Sequence, residues 1–388
     1  MNYITEERQL IKQSARDFTD KEVRPVAREL DEIQGDIPME LRQKLADMGY
    51  FGIMIPEQYG GLGLGCFEYC LVAEELARGW MSVASLIARG NGMVGVREMS
   101  EQQKLETLPR VASGEYLCAI ALSEPDAGSD IANISCRAVR DGDDWIITGS
   151  KYWCTFADGA NYLLVMARTD PNIDPNKKHR GLSFFKIEKP VGVLPEGVKG
   201  SPIPKIGYFG WKTWELYFDG LRVPGDALVG TEGNAFYAVS ADLVTARAHT
   251  AARAIGLAQA ALEDATAYAQ EREQFGRSIA DFQVTRFKLA KMATEIEAAR
   301  QLNYHVCAQV DSGQRCDKEA GMSKYFASEM AERVTSEALQ IFGGAGYTKL
   351  HSVERYWRDA RLTEIFEGTS EIQLRIISDH LLGKSAFQ

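Results

Sequence analysis

The sequence has few of the residue patterns that mark a metal or disulfide site. Its 5 histidines are scattered, with no H-E-x-x-H arrangement, and its 7 cysteines include no C-x-x-C pair. Zinc sites are built on such short spacings. We therefore expect no bound metal. In a chain of 388 residues we expect the cysteines to be reduced thiols and not a disulfide framework.

The sequence also lacks an excess of basic charge and a long apolar run. It has 44 Lys and Arg against 54 Asp and Glu, a formal net charge of −10. Nucleic acids and anionic membranes attract basic surfaces, so we expect no nucleic-acid partner and no membrane insertion. No stretch is long enough to span a bilayer. The first residues, MNYITEERQLIKQSARDF, contain no signal-peptide pattern, and we expect a cytoplasmic protein.

Proline is missing from the C-terminal part of the chain. Eight of the 12 prolines lie between Pro125 and Pro224, and none follows Pro224. Because proline breaks helix interiors, this distribution predicts long helices near the C-terminus. The segment KLAKMATEIEAARQL (288–302) agrees, since its apolar residues recur at helical spacing. The middle third instead contains short β-branched and aromatic runs such as WIITGSK, separated by turn residues.

These patterns predict an α+β fold that is mainly α, in three parts. We expect an N-terminal helical domain at residues 1–115 and an antiparallel, β-barrel-like middle domain at 116–226. A C-terminal domain at 227–388 is expected to form a four-helix bundle of long helices. A soluble enzyme of this size is compatible with the composition, which is 45% hydrophobic and 25% charged.

Residues 90–95 read GNGMVG, the G-x-G-x-x-G spacing of a turn against a dinucleotide pyrophosphate. That site requires a strand before the glycines within a βαβ unit. Here the preceding AEELARGWMSVASLIAR (73–89) is helical in character, and no βαβ alternation surrounds it. We interpret the motif as a helix interrupted or ended by glycines, and we look for the cofactor site elsewhere.

Two stretches of the middle part offer more specific chemistry. IALSEPDAGSD (120–130) ends a strand in a turn with hydroxyl and backbone N–H donors. GSKYWCTFADGA (149–160) places Trp153 and Thr155 on the same side of a predicted strand. Each stretch has a simpler explanation when taken alone, a local turn for the first and ordinary sheet packing for the second.

A third stretch, RDARLTEIFEGTSEIQ (358–373), contains a candidate base. A helix is predicted to end near Glu367, Gly368 permits a sharp turn, and Thr369 can cap the next helix. Apolar neighbours such as Ile365 would raise the pKa of the Glu367 carboxyl and suit it to proton abstraction. The alternative is a solvent-facing glutamate at a helix end.

Together and in this order, these segments resemble the acyl-CoA dehydrogenase family, flavoproteins that introduce a double bond α,β to a thioester. The resemblance continues through REQFGRSIADFQ (272–283) and QIFGGAGY (340–347) and covers nearly the whole chain. It implies FAD as the cofactor and an acyl-CoA substrate. It also implies an electron-transferring flavoprotein as electron acceptor and a homotetramer built as a dimer of dimers.

The resemblance also implies which residues hold FAD. Thr155 would lie near flavin N5, Ser123 near the pyrimidine edge, and Trp153 against the ring. The residues implied for the flavin and the diphosphate-adenosine part are Ile120, Leu122, Ser123, Gly128, Ser129, Trp153, Thr155, Thr369 and Glu371. Those implied to reach the FAD of a neighbouring subunit are Arg272, Phe275, Gln283, Gln340, Gly343 and Gly344.

Glu367 matches the catalytic base of the family. Some relatives carry this carboxylate just before the arginine equivalent to Arg247, where this chain has Ala246, so Glu367 is the only candidate of the two. As Glu367 takes the α-proton, the β-hydrogen would pass as hydride to flavin N5. The Glu367 backbone N–H and a ribityl hydroxyl would stabilise the enolate. Ser129, Arg247 and Gly368 are implied to contact the acyl-CoA.

The substrate remains open at this stage. Val244 stands where relatives often carry Asp or Asn near the pantetheine, so a carrier-protein thioester is an alternative to CoA. Arg89 and Asn91 are expected at the far end of the acyl pocket, where Arg89 either binds a distal carboxylate or is simply solvated. We expect short, branched or cyclic acyl groups. The alternative functions are a related flavin oxidase or desaturase that acts on another thioester, either carrier-protein-bound or a dicarboxylyl-CoA, and a non-catalytic nucleic-acid-associated relative.

Overall fold

The N-terminal part of the chain is helical. The computed structural model describes residues 3–92, 96, 99–172, 174 and 177–384. The helices of the first part are α1 (Glu6–Phe18), α2 (Arg24–Glu32), α3 (Met39–Asp47), α4 (Cys66–Gly79), α5 (Met81–Asn91) and α6 (Glu101–Ala112). One π-helical turn, Thr19–Val23, joins α1 to α2. The buried helix α4 packs against α1 and α5 and carries this part onto the C-terminal helices.

The middle part is a single eight-stranded sheet. Its strands are β1 (Cys118–Ala121), β2 (Arg137–Asp141), β3 (Asp144–Thr155), β4 (Tyr162–Arg168), β5 (Leu182–Glu188), β6 (Val198–Pro202), β7 (Thr213–Val223) and β8 (Leu228–Val229). The order is β6-β7-β3-β2-β4-β5-β8, with β1 paired to β4. The pairing is antiparallel as predicted, except that β4 runs parallel to β1 and, at one residue pair, to β2.

The C-terminal part consists of long helices, as the absence of proline predicted. They are α7 (Ala235–Glu271), α8 (Gln283–Asp311), α9 (Asp317–Phe342), α10 (Val353–Thr363) and α11 (Ser370–Leu381). A short hairpin of β9 (Glu273–Gln274) and β10 (Arg277–Ser278) separates α7 from α8. Helix α7 has 37 residues and is about 55 Å long at 1.5 Å per residue. The predicted fold class is confirmed.

Small residues bring α7 very close to α4. The inner face of α7 is lined with buried alanines, and Gly256 lies directly against the other helix. A Cβ atom added at Gly256 would lie 2.2 Å from the carbonyl oxygen of Glu74 on α4. No side chain fits at that distance, so the contact requires glycine. This contact fixes the position of α7, which carries most of the polar residues described below.

The helical segment before GNGMVG is two helices, not one. It breaks at Trp80, whose backbone is extended (φ −156°, ψ 116°), and α5 then runs to Asn91 with Gly92 as its C-cap. Gly90 is required for packing, because an added Cβ would lie 2.2 Å from the Phe51 carbonyl oxygen. For Gly90, Asn91 and Gly92 the interpretation as a helix end is confirmed. Residues 93–95 lie outside the described part of the chain.

Among the described residues, no helix is both long and apolar enough to cross a membrane. All seven cysteines are buried and unpaired, as expected for reduced thiols.

Candidate active site

Glu367 lies on a tight turn between α10 and α11. Its φ is 53° and that of Gly368 is 92°, so two consecutive residues adopt the left-handed conformation. Such a conformation is costly for a residue with a Cβ and recurs at functional sites. The Gly368 carbonyl accepts hydrogen bonds from Lys324 Nζ at 2.6 Å and Gln373 Nε2 at 3.0 Å. These two side chains hold the turn in place.

The Glu367 carboxylate is bound by two residues of α7. Its Oε1 lies 2.7 Å from Nη2 of Arg253, and its Oε2 accepts a hydrogen bond from the Thr250 hydroxyl at 2.6 Å. The Arg253 side chain is 1% exposed, whereas that of Glu367 is 35% exposed. The Glu367 carboxylate is therefore reachable from solvent, whereas the Arg253 guanidinium that binds it is not.

The pKa of Glu367 departs from the prediction made on its neighbours in sequence. Burial raises the pKa of this carboxyl, but the Arg253 guanidinium, the Thr250 hydroxyl and the charge of Arg89 together hold it below its usual range. The predicted rise in pKa was wrong. The prediction used the apolar side chains beside Glu367, whereas its environment is set by charged residues of α7 and α5.

Polar groups continue around the base. We call Ser85, Thr250, Arg253, Phe366 and Glu367 the Glu367 cluster. Within it, Arg253 donates to the Ser85 hydroxyl at 2.7 Å and to the Thr250 hydroxyl at 2.9 Å, and its guanidinium lies 4.7 Å from the centre of the Phe366 ring. Its Nε atom is buried and has no hydrogen-bond partner among the described residues.

The residues predicted to contact substrate lie in different surroundings. Arg247, on α7, is 8% exposed and lies 3.8 Å from Asp317, and Val244 packs at the edge of the core. Ser129 is exposed in the turn after β1. Arg89 stacks its guanidinium 5.2 Å above the ring of Trp211. Burial lowers the pKa of Arg247, which its distant carboxylate partner only partly offsets.

Asn91 has a structural role in this fold. The residue is fully buried, its Oδ1 accepts from the Met54 N–H at 2.9 Å, and its Nδ2 donates to the carbonyls of Tyr50 and Ile87 at 2.7 and 2.9 Å. These bonds tie the end of α5 to the segment before it. Because its amide oxygen and nitrogen already bind backbone groups, the side chain is not placed to contact a substrate.

The two stretches predicted to hold the flavin are joined to each other. The Tyr152 N–H donates to the Ser123 carbonyl at 2.8 Å, and Lys151 Nζ donates to the Leu122 carbonyl at 2.8 Å. Lys151 also pairs with Glu124 at 2.9 Å, with both side chains buried. Burial lowers the pKa of the Lys151 ammonium, and its charge helps to hold the pKa of the Glu124 carboxyl low. The Lys151–Glu124 ion pair therefore holds residues 120–130 against residues 149–160.

The same two stretches, residues 120–130 and 149–160, contain groups that no other part of the described structure covers. Trp153 is 56% exposed and adopts a left-handed φ of 65°, beside an irregularity in the pairing of β3 with β7. Cys154 is buried, whereas Thr155 is half-buried, with its hydroxyl 3.0 Å from that of Thr213. A Cβ added at Gly128 would contact nothing within 4 Å. An exposed indole next to open backbone fits a flat aromatic group such as a flavin.

The residues predicted to reach a neighbouring subunit lie together near the ends of α7 and α9. Phe342 stacks on Tyr268 with ring centres 4.0 Å apart, which joins the segment of Gln340 to that of Arg272. Phe275 is 94% exposed with a φ of 53°, and Gln283 is exposed at the start of α8. A Cβ at Gly343 or Gly344 would contact nothing within 4 Å. Gly343 has a φ of 59°, which favours glycine, whereas no contact with the described residues requires glycine at Gly344.

Thr369 and Glu371 lie at the start of α11. Thr369 is the N-cap, and its side chain accepts a hydrogen bond from the Ile372 N–H at 3.3 Å, while Glu371 is exposed in the first turn. The predicted start of a helix after Gly368 is confirmed.

The sequence matches known proteins along its whole length. The family description "Acyl-CoA dehydrogenase, N-terminal domain" matches residues 5–115, the middle domain of that family matches 119–221, and its C-terminal domain matches 233–382. The chain belongs to the acyl-CoA dehydrogenase family. Members of the acyl-CoA dehydrogenase family are FAD-dependent oxidoreductases that act on CH–CH bonds.

Individual relatives cover nearly the whole chain. A (2S)-methylsuccinyl-CoA dehydrogenase of Cereibacter sphaeroides is 41% identical over 98% of this chain and 70% of its own length. An acyl-CoA dehydrogenase of Bacillus subtilis is 40% identical over 98% of this chain and 99% of its own. The structure of butyryl-CoA dehydrogenase from Megasphaera elsdenii superposes with a TM-score of 0.91 at 34% identity, covering 98% and 99% of the two chains.

The two α7 residues that bind the Glu367 carboxylate were not predicted from the sequence of this member of the family. Thr250 and Arg253 follow Arg247 at intervals of three on α7, so a polar stripe runs along an otherwise alanine-rich helix. That stripe is the signal that identifies them. Ser85 carries no comparable signal, because its contact with Arg253 joins residues that are far apart in the chain.

The sequence analysis also missed a cluster of thiols. Cys66 and Cys70 on α4 and Cys307 on α8 are buried, and their Sγ atoms lie within 4.8 Å of one another. Hydrogen bonds from Cys307 and Cys70 hold the pKa of the Cys66 thiol low. The C-x-x-x-C spacing places the first two on one face of a helix, and only the tertiary fold adds the third.

Proposed function

We propose that this protein is an acyl-CoA dehydrogenase that converts an acyl-CoA to the 2-enoyl-CoA, with Glu367 as the base that takes the α-proton. The observation that carries the proposal is the Glu367 carboxylate itself. It lies on a strained turn, remains 35% exposed, and is held by a buried cation 2.7 Å away. A simple helix-end glutamate would need neither the strain nor the buried partner.

The chain's own residues prepare the proton transfer. The Arg253 guanidinium keeps Glu367 ionised, so the carboxylate is free of a proton before substrate binds. To accept the α-proton it must release Arg253 and Thr250, because a carboxylate held by both is a weaker base. The Gly368 turn, anchored through Lys324, supplies a fixed backbone about which the side chain can move. Once the carboxylate has moved away from the Arg253 cation, it takes up a proton more readily.

We propose that FAD is held by the residues of β1, β3 and the turns after them, namely Ile120, Leu122, Ser123, Gly128, Ser129, Trp153 and Thr155, with Thr369 and Glu371 toward the diphosphate-adenosine part. When bound, FAD supplies the two-electron acceptor that takes the β-hydrogen as hydride. The exposed Trp153 and the open space beside Gly128 support this placement. The Lys151–Glu124 pair keeps the two FAD-binding stretches in register.

We propose that the acyl-CoA contacts Ser129, Arg247, Val244 and Gly368. Arg247 is a buried guanidinium whose Nη1 has no hydrogen-bond partner among the described residues, which leaves a donor for the thioester ligand. A carrier-protein thioester is an alternative, because Val244 offers no polar group to the pantetheine. We propose that the acyl group is short, branched or cyclic.

The proposed assembly is a homotetramer in which Arg272, Phe275, Gln283, Gln340, Gly343 and Gly344 reach the FAD of a neighbour. The exposure of Phe275 and the open glycines support it. We also propose an electron-transferring flavoprotein as acceptor. A cytoplasmic location is supported by seven free, buried cysteines.

The base is tested by the Glu367→Gln variant of the FAD-loaded enzyme, mixed without oxygen with a panel of straight, branched, cyclic and dicarboxylic acyl-CoAs. We expect the variant to remain folded and to keep its FAD, with a lower thermal midpoint because the buried Arg253 loses its carboxylate partner, yet to show no loss of flavin absorbance with any thioester. Wild-type enzyme should bleach with at least one. Normal bleaching in the variant would remove Glu367 from the mechanism.

A further inference from the structure

The Glu367 cluster and the neighbouring Arg89 together carry more positive charge than the single carboxylate of Glu367 balances. Arg253 is fully buried and Arg89 lies near enough for its charge to lower the pKa of Glu367. Each guanidinium has a buried Nε atom without a hydrogen-bond partner among the described residues. Tyr69 and Tyr208, which face the same guanidiniums, are neutral at physiological pH because burial raises their pKa values. A buried cation with a spare donor is costly unless an anion is available to it.

The walls around the cluster are also more polar than an alkyl chain requires. Ser85 and Thr250 place hydroxyls beside Arg253, and Tyr208 packs edge-on against Phe366 with ring centres 5.8 Å apart. The Ser85 and Thr250 hydroxyls already have acceptors in the Met81 and Ala246 carbonyls, so the donors without a partner among the described residues are the Nε atoms of Arg253 and Arg89. A straight fatty chain would offer these Nε atoms no acceptor and would lose affinity for that reason. The observed groups suit a substrate that brings a negative charge close to the reacting carbons.

We propose that the substrate is a short dicarboxylyl thioester whose distal carboxylate takes the place of Glu367 on Arg253. This inference rests on the proposed function and names the substrate class of the same site. Arg253 is 1% exposed, so an incoming anion reaches it by occupying the position of the Glu367 carboxylate. The exchange binds the substrate and releases the base in one step.

The geometry also limits the length of the acyl group. Arg253 lies one hydrogen bond, 2.7 Å, from the carboxylate that must reach the α-carbon. The distal carboxylate must therefore follow within one or two bonds of the β-carbon, which gives a chain of about four or five carbon atoms. Arg89, at the end of α5, lies where it adds charge without direct contact. Arg253 is thus a specificity-determining residue. Arg89 adds to the positive electrostatic potential at the position of the distal carboxylate.

The exchange explains why a base with a lowered pKa can still work. In the free enzyme Arg253 weakens Glu367 as a base. A substrate carboxylate on Arg253 neutralises that cation, and burial, which raises the pKa of Glu367, is then unopposed by it. A monocarboxylic acyl-CoA leaves the Arg253–Glu367 pair intact and meets a weaker base.

The test compares matched thioesters that differ only in the distal carboxylate. The pairs are methylsuccinyl-CoA with 2-methylbutanoyl-CoA and glutaryl-CoA with pentanoyl-CoA, assayed by kcat/KM with a dye acceptor on the FAD-loaded enzyme. We expect wild type to prefer one dicarboxylyl partner by about tenfold or more. Arg253→Gln should abolish that preference, and Arg253→Lys should retain part of it. Arg300→Gln, which removes a half-buried arginine paired with Glu74 elsewhere, should keep the full preference.

Binding gives a readout that does not depend on turnover. In the Glu367→Gln background, calorimetry should show that methylsuccinyl-CoA binds about tenfold more weakly once Arg253→Gln is added, whereas 2-methylbutanoyl-CoA binds equally to both. Equal losses for both members of each pair would mean that Arg253 only shapes the site, and would overturn the proposal. If no thioester bleaches wild-type flavin at all, the proposed function itself fails. If only monocarboxylic thioesters bleach it, the function stands and this inference is wrong.

Discussion

At the residue scale, the state of Glu367 before substrate binds is the central feature. A carboxylate pairs strongly with a buried guanidinium, and that pairing favours its ionised form. The charged and polar groups that face Glu367 are Arg253 and Thr250 from α7, Arg89 from α5, Lys324 from α9, and Tyr208 and Tyr69. Because the pKa of Glu367 is lowered, the stability gained from its charge is present above the unfolded pKa and is lost as pH falls through the lower folded value.

This arrangement predicts how the pH profile responds to Arg253. In wild type, the acid limb of kcat/KM for a monocarboxylic substrate should lie below the usual range of a glutamate, since the free base is ionised there. In Arg253→Gln, burial is no longer offset by that charge, so the limb should move to higher pH. The measurement is kcat/KM against pH for 2-methylbutanoyl-CoA in both proteins. A limb at the same pH in both would show that Arg253 does not set the pKa of the base.

The turn that carries Glu367 could be predicted from sequence, whereas the environment of its carboxylate could not. The turn at Gly368 and the cap at Thr369 depend on neighbours in the chain, and both were predicted. Thr250 and Arg253, the partners of Glu367 on α7, lie more than a hundred residues away in the chain. A local sequence pattern does not indicate which helices pack against each other. The same reason explains Asn91, which was predicted at the substrate pocket but binds backbone groups of Tyr50, Met54 and Ile87.

At the scale of elements, the approach of α4 to α7 controls where Thr250 and Arg253 stand. Gly256 lies one turn beyond Arg253 on α7, and a side chain at this position would point at the Glu74 carbonyl. The absence of proline predicted a long helix here, but the distance between α4 and α7 depends on a single glycine whose partner is in another element.

We expect Gly256→Ala to push these helices apart. The added Cβ would lie 2.2 Å from the Glu74 carbonyl oxygen, and relieving that overlap should cost about 1–3 kcal/mol of unfolding free energy. Gly321→Ala is the matched control, because it is also helical but its nearest neighbour would be 3.5 Å away. There, alanine should stabilise the helix by about 1 kcal/mol. Chemical denaturation of both variants provides the comparison, and similar midpoints would contradict the expected effect of the contact.

The sheet illustrates what strand patterns leave out. The short β-branched and aromatic runs predicted strands correctly, since alternation is local. The parallel pairing of β1 with β4, and the irregular pairing near Trp153, were not predicted. Strand order and register depend on contacts between distant segments. The Lys151–Glu124 pair is of the same kind, since it joins two stretches that the sequence analysis identified separately.

At the scale of the whole molecule, one end of the C-terminal helices has apolar side chains that the single chain leaves uncovered. Phe275 is 94% exposed, Tyr347 85%, Leu350 82% and Phe287 64%. Apolar groups exposed together mark surfaces that are covered in an assembly. Three of them lie in or beside the segments proposed to reach a neighbouring subunit.

We therefore expect Phe275→Ala to weaken assembly and FAD retention together while leaving the single subunit folded. The mass should fall in light scattering, and the ratio of flavin to protein absorbance should fall with it after gel filtration. Leu10→Ala is the control, because Leu10 is 70% exposed on α1 and lies outside the proposed contact. A variant that keeps both its mass and its flavin would argue against a cofactor site shared between subunits.

The left-handed turn at Glu367 couples the chemistry of this position to the fold. The backbone there suits glycine or asparagine better than glutamate, and the glutamate side chain is also the anion that pairs with the buried Arg253. Glycine at this position would relieve the strain of the turn, but it would leave a guanidinium buried without its carboxylate. Loss of Glu367 therefore removes an ion pair of the core together with the group proposed to take the proton.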